Sequence, residues 1–240
     1  MNRSIIIASR ELREMLSDTR FVYTITVTGL VLPVFYAFVG MNAVKVAPGG
    51  IKSATFPLMF LLSSILPATF SMQLAVISFV GEKEARTIEP LLAAPITNME
   101  LFTGKVISSF FPPLVLVVMV QAIFLTASYI LARVKFGMNF SPDFESIIGA
   151  VILVPLVVLT MVSLAVVISS KINTVRAAQQ IGAFINLPIL LLVVYKAPML
   201  LHYATSAPGQ VIGAGLAINV ILLRAGARSF NRDKVLTQIG

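Results

Sequence analysis

The chain has no cysteine, no tryptophan, a single histidine at His202, and only 10 acidic residues among 240. Without cysteine there is no disulfide framework, thiolate nucleophile or cysteine-based metal site. One histidine also rules out a histidine-ligand cluster within one chain, so neither metal ligands nor catalytic residues are expected. Charged residues make up 12% of the chain, about half of the roughly 25% that a soluble domain carries. Such a chain cannot coat itself for water.

What fills the space is apolar: 58% of residues are hydrophobic and the mean hydropathy is +0.95. Six stretches contain no Asp, Glu, Lys or Arg: Phe21 to Val44, Ser53 to Gly81, Val106 to Ala132, Ser146 to Ser170, Ala177 to Tyr195, and Ala197 to Leu223. A helix crosses a bilayer core in about 20 residues, so each stretch suffices for one crossing. Outer-membrane strands alternate apolar with polar residues, whereas runs such as Pro113 to Val120 are continuously apolar. The expectation is an all-α integral membrane protein and a single transmembrane domain over residues 1–240. Its spans fall at about 21–42, 56–80, 106–131, 147–169, 179–199 and 204–223, after an interface helix at 1–20 and before a tail at 224–240. Lys196, Pro198, His202 and Pro208 crowd the junction of the last two spans, where one or both could be broken or re-entrant.

Six spans place both termini on one side. The segments on that side carry 13 basic residues: Arg3, Arg10, Arg13, Arg20, Lys83, Arg86, Lys105, Lys171, Arg176, Arg224, Arg228, Arg232 and Lys234. The opposite loops carry 5: Lys45, Lys52, Arg133, Lys135 and Lys196. The positive-inside rule therefore makes both termini cytoplasmic in a cell membrane. The net charge of +8 reads as a topology signal, each basic group gaining roughly 1 kcal/mol beside anionic lipid. No basic run is interleaved with exposed aromatics, so no nucleic-acid partner is expected.

Residues Arg3 to Asp18 have helical periodicity. Ile5, Ala8, Leu12, Met15 and Leu16 fall within an arc about 100° wide, with Arg10, Glu11, Arg13 and Glu14 outside it. The segment reads equally well as a lipid-surface anchor or as a docking surface.

The segment from Gly81 to Lys105, GEKEARTIEPLLAAPITNMELFTGK, concentrates four of the ten acids: Glu82, Glu84, Glu89 and Glu100. Thr87 can cap a short helix, with Glu89 near its positive end and Pro90 in its first turn. Pro95 closes that element, and Thr97 to Glu100 forms a capping box that starts the third long helix near Asn98. Mixed charge beside Ile88, Leu91 and Leu92 is what a protein-binding rim and core look like.

This segment resembles the connection between the second and third spans of ABC-2-type ABC transporter permeases, the membrane subunits of ATP-binding-cassette exporters. Thr87, Glu89, Leu91, Leu92, Pro95, Gly104 and Lys105 match that pattern. IASRELREMLSDTRF near the start and ARSFNRDKVL at Ala227 to Leu236 are similar to the family's two ends, although Asp233 stands where Glu is commoner. Arg86 stands where Gly is frequent. The resemblance implies that Glu82, Glu84, Arg86, Thr87, Ile88, Glu89, Leu91 and Leu92 form or flank a cytoplasmic coupling helix that docks on an ATPase. It also implies a second permease copy or homologous partner, with ATP and Mg held by the ATPase.

The chain has no P-loop of its own. Its one Gly-Lys, Gly104-Lys105, has Met99 where the first glycine should stand and is followed by Val106. No ionisable side chain other than His202 lies in the six stretches, which weighs against a proton-coupled secondary transporter. Buried polar candidates for a path or for inter-helix bonds are Gln73, Gln121, Asn186 and Asn219. Gly209, Gly213 and Ala217 form a small-residue stripe suited to close packing, within the subunit or across a dimer. The sequence supports an exporter permease without excluding a non-transporting membrane scaffold that holds a soluble partner.

Overall fold

In lipid a peptide group has no partner but another peptide group, so apolar runs of this length fold as helices. A computed structural model of the chain describes Arg13, Ser17 and residues 19–46, 55–85, 98–135, 137 and 144–229. Seven helices follow in order: α1 (Thr19–Val46), α2 (Thr55–Glu84), α3 (Asn98–Val134), α4 (Phe144–Ser169), α5 (Val175–Tyr195), α6 (Ala197–Ser206) and α7 (Pro208–Ser229). All but the ten-residue α6 are long and apolar enough to cross a membrane, and no strand occurs among the described residues. The region between the fifth and sixth crossings is thus a separate short helix, bounded by a turn at Lys196 and a bend at Ala207.

Contacts between helices fix their directions. Ser71 and Lys83 of α2 bond to the Val158 and Ser169 carbonyls of α4, so these two helices run parallel. Helix α5 runs antiparallel to α2, since Gly182 lies against Met72 while Val175 lies against Glu84. Helix α7 runs parallel to α4, with Gly215 against Leu156 and Gly226 against Val166. One end of the bundle therefore gathers the end of α2, the start of α3, the α4–α5 turn and the end of α7. The opposite end carries α6, whose Ala197, Leu201 and Ala204 form a buried stripe. Leu201 seats on Gly149 of α4, at 3.0 Å from where a Cβ would stand.

Helix α2 is the centre of the bundle: 71% of its apolar window is buried, against 11% for α5 and for α7. Its composition permits this. Ser63, Ser64, Ala68, Ser71, Ala75 and Ser78 are small and buried, which lets neighbouring backbones approach closely. The buried hydroxyls of Ser63 and Ser64 bond back to the Phe60 carbonyl, so their burial leaves no unpaired donor. Two apolar clusters stack along the bundle. One is built around Phe56, Phe60 and Phe124, with ring centroids 5.5 and 5.4 Å from Phe124. The other lies nearer the α4–α5 turn and contains Phe79 and Phe102, 5.8 Å apart.

Prolines sit inside five of the long helices: Pro33, Pro67, the Pro112–Pro113 pair, Pro155 and Pro188. Each removes one backbone donor from the ladder, and neighbouring helices can satisfy what is freed.

Candidate functional site: the α2 end and the α2–α5 groove

The last two turns of α2 reach three other helices. Lys83 Nζ donates to the Ser169 carbonyl at 2.6 Å, at the end of α4. Burial of this ammonium lowers the Lys83 pKa from the usual lysine value, because desolvation disfavours the charged form. One residue on, Glu84 Oε2 accepts a 2.7 Å hydrogen bond from the Val175 backbone N–H, which opens α5. Helix α5 needs that partner. Its N-cap residue, Thr174, makes no side-chain cap bond, and its first turn holds no acid, so Glu84 supplies an anion at a positive end that has none of its own.

One turn and a half earlier, the Ser78 carbonyl accepts a 2.7 Å hydrogen bond from Lys105 Nζ of α3. The ammonium also lies 5.7 Å from the Phe79 ring centroid, close enough for a cation–π contribution. Lys105 is 1% exposed. By sequence Lys105 counts among the headgroup-facing basic residues, whereas the structure places it inside the bundle. The reason is that α3 begins at Asn98, so Lys105 already lies two turns into the helix and its stem packs against α2.

Above the Glu84–Val175 junction a cavity of about 180 Å³ opens between α2 and α5. Thr69, Met72, Gln73 and Val76 line it from α2, and Gln179, Gly182, Ala183 and Asn186 line it from α5. Gln73 and Gln179 are exposed, and Asn186 Oδ1 is buried without a hydrogen-bond partner. An orphaned buried acceptor carries a desolvation cost of about 1–3 kcal/mol, and Asn186, which holds it, is one of the residues that line the groove. No charged side chain among the described residues contributes to its lining.

Two of the four polar candidates, Gln73 and Asn186, thus share one groove, while the other two lie apart. Asn219 Oδ1 accepts from Ser163 at 2.9 Å, and Asn219 Nδ2 donates to Thr160 Oγ1 at 3.2 Å and to the Gly215 carbonyl at 2.8 Å. That network joins α7 to α4 and needs no ligand. Gln121 is buried in α3 with Nε2 unpartnered. Of the stripe, Gly209 and Gly213 have nothing within 4 Å of where a Cβ would stand, and Ala217 is exposed, so the stripe makes no close packing among the described residues. The close approaches of α7 are made by Gly215 and Gly226 instead.

Of the docking candidates, Glu82 lies in the last turn of α2, and Arg86, Thr87, Ile88, Glu89, Leu91 and Leu92 lie outside the described residues. In the amino-terminal segment Arg13 is helical and exposed, whereas Arg10, Glu11 and Glu14 lie outside them. Sequence reasoning did not identify Val175, Ser169 or Ser78 as partners, since each contributes a backbone group that no side-chain pattern marks.

The family described as ABC-2 family transporter protein matches residues 5–220. No curated protein matches the chain. Six membrane-crossing helices in this order, and a family match over nearly their whole length, identify a multi-pass membrane protein that acts as a transport subunit. The chain belongs to the ABC-2 transporter family and is the permease, or membrane subunit, of an ABC transporter.

Proposed function

We propose that this permease works as an exporter and that its energy comes from separate ATPase subunits, which hold ATP and Mg. Two copies, or one copy and a homologous partner, form the path. Both termini lie in the cytoplasm, and residues Glu82 to Ala94 form the coupling segment that the ATPase engages. The observation that carries this reading is the α2–α5 groove. It places Gln73 and the unpartnered Asn186 Oδ1 beside a helix, α5, whose remaining surface is largely apolar and exposed, such as Phe184, Leu187 and Leu191. A polar cleft there needs an occupant other than lipid tails. Its lower end adjoins the Glu84–Val175 junction, from which the chain continues directly into the coupling segment. With no charged lining, the groove suits a cargo that is neutral where it makes contact.

The test is purification of the chain from its native membrane with its bound partners. Recovery of a P-loop ATPase in stoichiometric amount is the expected result. Glu89→Ala and Leu92→Asp should leave insertion and folding intact but reduce transport-coupled ATP hydrolysis, because a switch surface requires contacts that differ between its two states. Recovery without any nucleotide-binding protein, or normal coupling in both variants, overturns the reading.

A further inference from the structure

Helix α2 is tied unequally to its neighbours. Toward α3 and α4 it is held by lysine ammonium groups on backbone carbonyls, Lys105 on Ser78 and Lys83 on Ser169, and by the buried cluster of Phe79, Phe102, Met161 and Val166. Toward α5 the packing is slighter. Ala178 and Gly182 are the buried residues of α5, and the contact opposite Gly182 is the terminal methyl of Met72, 3.0 Å from where a Cβ would stand. Methionine is the side chain that most readily repacks when a neighbour shifts. At the end of this loosely held interface stands the Glu84–Val175 hydrogen bond.

We propose that Glu84 is a positioning residue, a latch that holds the start of α5 against α2 and so sets the width of the groove above it. Gln73 precedes Glu84 by 11 residues and Asn186 follows Val175 by 11, so the latch and the groove lie about three turns apart on the same antiparallel pair. Helix α5 has no acid of its own in its first turn, and Arg176 places a positive charge there. Once Glu84 withdraws, the end of α5 therefore carries uncompensated donors and a repelling charge. Glu84 is itself part of the proposed coupling segment, Glu82 to Ala94, so a displacement of that segment acts on the latch directly. The role in transport rests on the proposed function. The latch itself is a property of this chain and is testable without an ATPase.

Because the chain has no cysteine, a Gln73→Cys, Asn186→Cys pair gives a unique probe of groove width, read as the rate of bridging by a short bifunctional thiol reagent. In the otherwise native pair the reagent should bridge the groove. Adding Glu84→Ala should slow bridging about fivefold, the shift expected for loss of a helix N-cap worth about 1 kcal/mol. Glu84→Gln, which retains an acceptor oxygen, should restore most of the rate, and Thr174→Ala should leave it unchanged. Hydrogen exchange of the first turn of α5, in the full chain without the cysteine pair, gives a second measure. Glu84→Ala should raise exchange at Val175 to Ala177 by a similar factor and leave the Lys105 region of α3 unaffected. Equal bridging and exchange in wild type and Glu84→Ala, or a Glu84→Gln variant as impaired as Glu84→Ala, overturns the latch. An intact latch in a chain that recruits no ATPase would overturn the transport reading alone.

Discussion

Lys105 Nζ donates to the Ser78 carbonyl at 2.7 Å, joining α3 to α2 through an ammonium that is 1% exposed. Replacing a buried charge by an apolar group of similar volume is often tolerated, whereas truncation leaves a cavity. Lys105→Ala should therefore cost about 2–4 kcal/mol, and Lys105→Met should cost less than about 1.5 kcal/mol. Unfolding midpoints in detergent would distinguish them; equal losses would mean that the stem of Lys105 contributes no packing.

Lys83 yields a pH dependence with a definite sign. Its pKa in the folded chain lies below the ordinary value of 10.5 because burial disfavours the ammonium. The unfolded chain thus binds the proton more tightly, and stability rises with pH between the lowered folded value and 10.5. Below that window the burial cost is fully present. Lys83→Met should abolish this rise, measured as the wild-type minus variant difference in Tm across the alkaline range, which cancels the titration of the other lysines.

The two kinds of glycine on α7 should respond differently. A Cβ at Gly226 would crowd Val166 Cγ1, while a Cβ at Gly213 would meet nothing within 4 Å among the described residues. Gly226→Ala should destabilise by about 1–3 kcal/mol, the usual cost of overpacking. Val166→Ala should recover part of that loss in the double variant, since the clashing methyl is then gone. In the isolated subunit Gly213→Ala should be close to neutral.

Asn219 should matter for stability and not for selectivity. Its amide is fully engaged with Ser163, Thr160 and the Gly215 carbonyl. Asn219→Leu should lower the unfolding free energy modestly, inter-helix bonds in membranes averaging about 0.6 kcal/mol each. Transport by the folded fraction should be unchanged.

Asn186 should behave in the opposite way. Its Oδ1 is buried without a partner, so Asn186→Leu removes an unsatisfied acceptor and should be neutral or stabilising by about 1 kcal/mol. Transport per folded molecule should fall. A stable variant with unaltered transport would remove Asn186 from the path.

The fold was legible because hydropathy is a local property. Each apolar run must satisfy its own backbone in lipid, so the number of crossing helices follows from composition alone. The site was legible only in part. Gln73 and Asn186 were recognisable as polar residues in apolar runs, yet nothing in the sequence said that they share a groove while Asn219 is sealed against α4. The stripe of Gly209, Gly213 and Ala217 has the spacing of a packing face, but α7 turns its other side, Gly215 and Gly226, to the bundle.

By itself, then, the sequence determined that this chain is a helical membrane protein with six crossings, since the bilayer imposes that on any chain with so little charge and runs of this length. Tertiary structure alone decided which polar groups are spent and which remain available. It sealed Lys105 against Ser78, gave Glu84 to Val175 and left Asn186 Oδ1 unpaired. Two of those three outcomes depend on backbone groups brought together from distant parts of the chain. A backbone carbonyl or N–H is the same in every residue, so only its placement in space can mark it as a partner.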